Sequence, residues 1–148
     1  SWKLLLQHCS VAGDDCHVHT VQTWTGVASG SFVAPDHEYP SYLELRLTAT
    51  DSGGLKDTES LRLDPRTVVL TFQTNPGGLR LAVNGSEATA TFTRTVIIGS
   101  MNTISAVSPQ TKGKQTYQFS SWSDGGAQTH PITAPATAAT YTARFRAR

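Results

Sequence analysis

The sequence is short of charge and has no long hydrophobic run, and each shortage excludes a class of protein. Charged residues make up 16% of the 148 positions, against roughly a quarter in an average soluble domain. The formal net charge is +1 with the histidines neutral, so no strong field would recruit nucleic acid or anionic lipid. No stretch approaches the roughly 18 apolar residues that span a bilayer. We therefore expect neither a nucleic-acid partner nor a membrane partner.

Helical periodicity is also missing, because no useful window carries apolar residues at i, i+3, i+4 and i+7. Strand patterns are frequent instead. The cleanest covers residues 42–50, where Leu43, Leu45 and Leu47 alternate with polar residues and so predict one buried face. Turn residues separate the strand candidates at intervals of roughly eight to twelve residues. The sequence predicts an all-β fold of two small antiparallel β-sandwich domains in tandem.

The best domain boundary is Asp64-Pro65, because proline cannot donate to a strand ladder and usually ends strand pairing. After it, the strands become shorter and threonine becomes more frequent. The predicted domains are therefore 1–65 and 66–148. In the second domain we expect a hairpin turn at Asn84-Gly85 and a single strand over 88–98.

The chain has only two cysteines, Cys9 and Cys16, and the segment between them has the composition of a turn. A strand-turn-strand pairing would bring the two sulfurs within bonding range, so we expect a disulfide. A disulfide implies an oxidising compartment and hence a secreted protein. The alternative is a metal site, because His8 and His17 flank the two cysteines. The sequence starts within a strand pattern, so we expect any export signal to precede it.

Two stretches resemble known bacterial modules. Residues 42–58 (YLELRLTATDSGGLKDT) resemble the closing hairpin of a PKD-type immunoglobulin-like domain. Residues 74–79 (TNPGGL), 117–126 (YQFSSWSDGG) and 140–145 (TYTARF) resemble a divergent internalin-B-type bacterial β-repeat. The second resemblance covers nearly all of 66–148.

Together the two modules resemble the C-terminal accessory region of secreted actinobacterial proteins. In such proteins they are attached to glucose/sorbosone-dehydrogenase-like or glycoside hydrolase domains. The resemblance implies immunoglobulin-like sandwiches, an accessory role and a catalytic domain of the same parent chain as partner. It brings no dehydrogenase chemistry, because this sequence contains none of that catalytic domain.

No pattern of catalytic residues supports an enzyme. The sequence has no Gly-x-Ser-x-Gly nucleophile elbow. Asp36, His37 and Glu38 are adjacent and would project in different directions from an extended chain. A small sandwich also offers little cleft between paired carboxylates for cleaving a sugar chain. We therefore expect no catalytic residues and no activity of its own.

The histidines are the clearest candidates for metal ligands. Four of the five lie in the first quarter of the chain, and His17 and His19 share one face of a predicted strand. Such a pair can hold zinc or copper, with His37 or His8 as a third ligand. The candidate metal set is His17, His19 and His37. The favoured interpretation is instead that these rings pack and hydrogen-bond around the Cys9–Cys16 turn and the loop over 35–40.

Calcium is a second metal candidate. Asp51 with Asp57, or Asp14 with Asp15, place hard oxygens in turns. The sequence has no Asp-x-Asp-x-Asp-Gly loop, however. Ordinary Asx turns are therefore the favoured interpretation of these residues, and we expect no obligatory cofactor.

The aromatic residues indicate carbohydrate binding. Sugars stack their C–H faces on flat aromatic rings, and their hydroxyls pair with a few polar groups. The candidates are Trp24 at a polar strand end, Tyr39 in a loop and Trp122 before a turn. The expected function is a non-catalytic module that binds or targets polysaccharide. The alternatives are a structural spacer without ligand and a metal-stabilised domain.

Overall fold

A computed structural model describes residues 1–10 and 15–148, and in this part of the chain every regular element is a β-strand. The prediction of an all-β fold is therefore confirmed. The chain divides into two compact units, Ser1–Arg66 and Thr67–Arg148. None of the described residues forms a helix that is long and apolar enough to cross a membrane.

The first unit contains one antiparallel sheet of four strands in the order β2-β1-β3-β4. The strands are β1 (Trp2–Cys9), β2 (Cys16–Trp24), β3 (Ser41–Thr50) and β4 (Lys56–Leu63). The pairing between β1 and β2 contains a bulge after Leu4, where Leu4 lies opposite Gln22 and Leu5 opposite Thr20. Such a bulge increases the local twist of the strand pair.

One face of this sheet is apolar because leucines on neighbouring strands lie opposite each other. Leu4 pairs with Leu45 and Leu6 with Leu43, and both Leu4 and Leu6 are buried. Residues 25–40 form no regular strand and lie over this face. We call residues 25–40 the covering segment. In the described part of the first unit, this segment takes the place of the second sheet that the predicted sandwich would have.

The other face carries the buried Leu5 opposite Glu44. The hydrogen bonds of this face are organised around Glu44. Its carboxylate accepts hydrogen bonds from Gln7 Nε2 at 2.9 Å, Arg46 Nη2 at 2.8 Å and Ser60 Oγ at 2.9 Å. The bonds from Arg46 and Ser60 stabilise the ionised form, so the pKa of Glu44 lies below its usual value. The alternation predicted for residues 42–50 is thus explained by one leucine face and one hydrogen-bonded face.

The second unit contains two sheets. The five-stranded sheet has the order β10-β11-β13-β5-β8, and the four-stranded sheet has the order β12-β9-β6-β7. The strands are β5 (Thr67–Asn75), β6 (Arg80–Val83), β7 (Ser86–Thr89), β8 (Phe92–Ile97), β9 (Met101–Ala106), β10 (Gln110–Lys112), β11 (Gln115–Trp122), β12 (Thr129–Thr133) and β13 (Ala139–Ala147).

Both sheets contribute to a single hydrophobic core in the second unit. Leu70 and Phe72 come from β5 in one sheet, and Leu81 and Ile104 come from β6 and β9 in the other; all four are fully buried. The predicted turn at Asn84-Gly85 is confirmed. Both residues have positive φ (49° and 80°), as a two-residue type I′ turn requires.

Two predictions for the second unit need correction. The single strand expected over 88–98 is two strands, since β7 ends at Thr89 in one sheet and β8 begins at Phe92 in the other. Its alternating residues gave no sign that the chain changes sheets at this point. The architecture is also not purely antiparallel, because β13 pairs with β5 in parallel. A parallel pair joins strands that are remote in sequence, which local patterns cannot reveal.

Candidate functional site

An aromatic cleft in the first unit is a candidate binding site. The pairing of β1 with β2 places Trp2 opposite Trp24, and residues 27–32 of the covering segment close the cleft. Its volume is about 260 Å³. It is lined by Trp2, Trp24, Val27, Ala28, Ser29, Gly30, Ser31, Phe32 and Leu45.

The covering segment is attached to this end of the sheet by two contacts. Trp2 Nε1 donates a hydrogen bond to the Val27 carbonyl oxygen at 3.1 Å. The rings of Trp24 and Phe32 lie 6.5 Å apart between centroids, at 49° to each other. Trp2, Trp24 and Phe32 are all half-buried. Each ring therefore keeps part of its surface open to solvent while packing fixes its position.

This arrangement suits an uncharged ligand with one apolar face. Three aromatic rings offer flat surfaces, and Ser29 and Ser31 bring hydroxyl groups to the lining. The side chains that line the cleft are uncharged. Its volume lies just below the ~300 Å³ at which small-molecule pockets usually begin. A cleft of this volume accommodates a single ring of a ligand better than a long segment of polymer.

The structure separates the three predicted sugar-binding aromatics. Trp24 lines the cleft, whereas Tyr39, which is 45% exposed, lies outside it near the far end of the covering segment. Trp122 lies in the core of the second unit, 3% exposed, and its Nε1 donates to the Gln128 carbonyl oxygen at 3.1 Å. Its ring faces are covered by packing, so the structure removes Trp122 from the candidate sugar-binding residues.

Trp2 and Phe32 line the cleft although sequence reasoning did not select them. Trp2 stands near the start of the chain, where its neighbours were not evident. Phe32 stands in a segment without strand pattern. Pairing the first two predicted strands outward from the cysteines would have placed Trp2 near Trp24, but nothing local indicated that Phe32 folds back over the sheet.

The four histidines of the first unit form a cluster at the opposite end of β1, which we call the histidine cluster (His8, His17, His19 and His37). His8 Nδ1 and His17 Nε2 are 3.3 Å apart. Ring centroids are 4.9 Å apart for His8 and His17, and 4.8 Å apart for His17 and His19. His37 reaches the cluster from the covering segment, with its centroid 4.5 Å from that of His8.

The histidine cluster disfavours positive charge at its centre. Burial is the largest cause that lowers the pKa of His8, followed by the neighbouring imidazoles of His37 and His17. The carboxylate of Glu38 acts in the opposite direction. No group of three or more metal-ligating side chains in residues 1–10 and 15–148 is arranged to hold an ion as it stands. The predicted ligands His17, His19 and His37 therefore lie in one cluster, but in the structure they do not form a group that could hold a metal ion.

The remaining predicted pairs are the two cysteines and the two calcium candidates. Cys9 and Cys16 form the predicted disulfide, with their Cα atoms 4.0 Å apart on paired strands. Asp51 Oδ1 accepts hydrogen bonds from the backbone N–H groups of Gly53 and Leu55, at 2.8 and 2.9 Å. This is the Asx-turn alternative to a calcium ligand.

The other members of the two calcium pairs give no further support for a site. Asp57 Oδ1 accepts a hydrogen bond from the backbone N–H of Thr58 at 3.0 Å. Asp14 lies outside the described residues, so the structure does not address its pairing with Asp15.

The second unit holds an aspartate–histidine pair beside the core. His130 Nε2 lies 2.7 Å from Asp124 Oδ2, and His130 Nδ1 lies 2.7 Å from the Ala127 carbonyl oxygen. Both ring nitrogens of His130 face hydrogen-bond acceptors. Burial alone would raise the pKa of Asp124, but the hydrogen bonds from His130 and the Gly126 N–H outweigh it, and the pKa is lowered.

Replacing Gly126 by alanine is expected to destabilise the second unit by about 1–3 kcal/mol, the usual cost of overpacking. A Cβ at this position would overlap the His130 ring, which its two hydrogen bonds hold in place. Denaturant unfolding would measure the loss. Gly77→Ala is the matched control, because a Cβ there would meet nothing within 4 Å.

A double-mutant cycle tests the cause of this loss. With His130→Ala already present, the overlap no longer exists, so Gly126→Ala should add little further destabilisation. A full, additive loss in the double variant would show that the overlap with His130 is not the reason for the glycine.

Comparisons with protein-family models, with curated proteins and with solved structures found no match to this chain. The resemblances to the PKD-type hairpin and the bacterial β-repeat therefore rest on the quoted motifs.

Proposed function

We propose that this chain is a non-catalytic accessory module that binds polysaccharide through the aromatic cleft of its first unit. The observation that carries the proposal is the cleft that Trp2 and Trp24 form with residues 27–32. Half-buried rings held by neighbours lose little conformational entropy on binding, which favours their use as stacking surfaces. A sugar ring would stack on an indole face while its hydroxyls reach Ser29 or Ser31.

The module types, the parent protein and the export of the chain are also proposals. We infer that the first unit is a divergent PKD-type immunoglobulin-like module and that the second is a divergent internalin-B-type repeat. Both would be carried beside a catalytic domain of the same parent chain. The Cys9–Cys16 disulfide supports export to an oxidising compartment. The polar, low-charge composition supports a neutral ligand such as a glycan rather than a polyanion.

A retention assay on insoluble polysaccharides tests the proposal. The full chain is incubated with cellulose, chitin and xylan in turn, and bound protein is quantified. Trp24→Ala should lower the affinity for the retained glycan by at least about 30-fold, the effect of losing an aromatic hot spot worth about 2 kcal/mol. Trp24→Phe should keep part of the affinity, because it preserves a flat ring.

Tyr39→Ala is the matched control, because Tyr39 is an exposed aromatic of the same unit that lies outside the cleft. It should leave retention unchanged. Near-UV circular dichroism checks that each variant is folded. Retention that survives Trp24→Ala but not Tyr39→Ala would move the binding surface away from the cleft. No retention on any glycan would favour the spacer function instead.

A further inference from the structure

The histidine cluster is not used by carbohydrate binding in the aromatic cleft. His8 and Trp2 are six residues apart on the same strand, or ~20 Å of extended chain. Four of the five histidines of the chain nevertheless meet at this one end of the sheet. The four histidine rings come from three separate segments: β1, β2 and the covering segment.

The spacing within the cluster matches one edge of a tetrahedral metal site. His8 Nδ1 and His17 Nε2 are 3.3 Å apart. Two nitrogens on a tetrahedral ion, with metal–nitrogen bonds of about 2.0–2.1 Å, would be about 3.3–3.4 Å apart, and their ring centroids about 5 Å apart. The observed centroid separations of His8 from His17 and from His37 are 4.9 and 4.5 Å. Ring rotation would turn this contact into coordination once the proton shared in the His8–His17 hydrogen bond moves to the other nitrogen of its own ring, which leaves a lone pair on both facing nitrogens.

The backbone holds the central pair in this position. His8 and His17 are directly opposite in the β1–β2 register, and the next pair along the strands is the Cys9–Cys16 disulfide. The covalent bond prevents this end of the strand pair from separating. Two ligands are thus preorganised before an ion arrives, which reduces the entropy cost of binding.

A third ligand is available from the covering segment. His37 Nδ1 lies 3.1 Å from the Glu38 carbonyl oxygen. When Nδ1 donates that hydrogen bond, the tautomer places the lone pair on Nε2, which is the arrangement that a metal-binding histidine usually has. His37 is half-buried and His17 is exposed, so both rings can rotate without moving a core residue.

An acidic side chain accompanies the cluster. The carboxylate of Glu38 acts electrostatically on His8, and it would offset part of the charge of a bound cation.

We propose that the histidine cluster binds a divalent transition-metal ion of the zinc and copper class. The ligands are His8 Nδ1, His17 Nε2 and His37 Nε2, with His19 as the nearest additional imidazole. Imidazole nitrogens suit zinc, copper and nickel, whereas magnesium and calcium prefer oxygen. Binding would require His37 to rotate, because no three His, Cys, Asp or Glu side chains in the described part of the chain already form a group that could hold an ion.

Isothermal titration of the full chain with Zn²⁺ tests this site, using protein purified without a polyhistidine tag. We expect one ion per chain, no binding of Mg²⁺, and a higher melting temperature with Zn²⁺. H8Q and H17Q should each weaken Zn²⁺ binding by at least about tenfold, the usual loss when a metal centre is disturbed. H130Q is the matched control, because it changes the one histidine of the second unit and should leave the affinity unchanged.

A second readout locates the ion. The imidazole C–H proton resonances of His8, His17 and His37 should shift with Zn²⁺, while that of His130 should not. His17 is exposed on an edge strand, so H17Q should fold normally and form its disulfide. An absence of both heat and resonance shifts would overturn the proposal, and so would Zn²⁺ binding that H8Q and H17Q retain in full.

Discussion

Replacing Phe72 by alanine is expected to lower the free energy of unfolding of the second unit by about 3–5 kcal/mol. Phe72 is fully buried on β5, the strand between β13 and β8. Its ring stacks on Phe92 and Tyr141, with centroids 5.5 and 5.7 Å away. The substitution removes the ring and leaves a cavity between them. Because small domains are stable by only about 5–15 kcal/mol, this is a large part of the total.

Thermal unfolding of the full chain would measure the effect, and we expect the melting temperature of the second unit to fall by at least about 12 °C. Hydrogen–deuterium exchange then assigns the loss to residues 67–148. Val69→Ala is the matched control on the same strand, since Val69 is 46% exposed on the outward face. It should cost less than about 1 kcal/mol. Equal losses in the two variants would contradict the placement of Phe72 at the core.

Removing the disulfide is expected to destabilise the first unit by about 2.5 kcal/mol, the chain-entropy value for closing a loop of this length. The effect is large relative to the unit, because the buried hydrophobic residues among its described positions are only Leu4, Leu5 and Leu6. Units of this size commonly depend on such cross-links. The C9S/C16S double variant should therefore show faster amide exchange along β1 and β2.

Reductant provides the control for this second prediction. A thiol reductant should lower the melting temperature of the wild-type first unit to that of C9S/C16S, and it should leave the variant unchanged. The second unit, which contains no cysteine, is an internal reference in both samples. A wild-type protein whose first unit melts at the same temperature with and without reductant would show that the strand pair is stable without its covalent bond.

Local patterns predicted the third strand of the first unit closely. The leucine alternation in residues 42–50 corresponds to β3, and the turn residues after it separate β3 from β4. These features are local, because period-two burial and turn chemistry act over a few residues. The covering segment over 25–40 could not be predicted in the same way. It has no period of its own, and its position depends on contacts such as that of Trp2 with Val27.

The candidate binding residues show the same difference between what the sequence predicts and what the tertiary structure decides. Residue type identified Trp24 and the four histidines, because indoles and imidazoles have distinctive chemistry wherever they lie. Burial separated Trp24 from Trp122, which is 3% exposed in the core of the second unit. The same ring can stack on a ligand or on the protein's own interior, and only packing decides which.

The sequence by itself determined the all-β fold, the Asn84-Gly85 turn and the Cys9–Cys16 pairing, since each follows from preferences of neighbouring residues. Only the tertiary structure decided that β13 runs parallel to β5 and that the chain changes sheets between β7 and β8. It also brought Trp2 to Trp24 and His37 to His8. The physical reason is that such contacts join remote segments, whose pairing depends on how the whole chain buries its apolar surface.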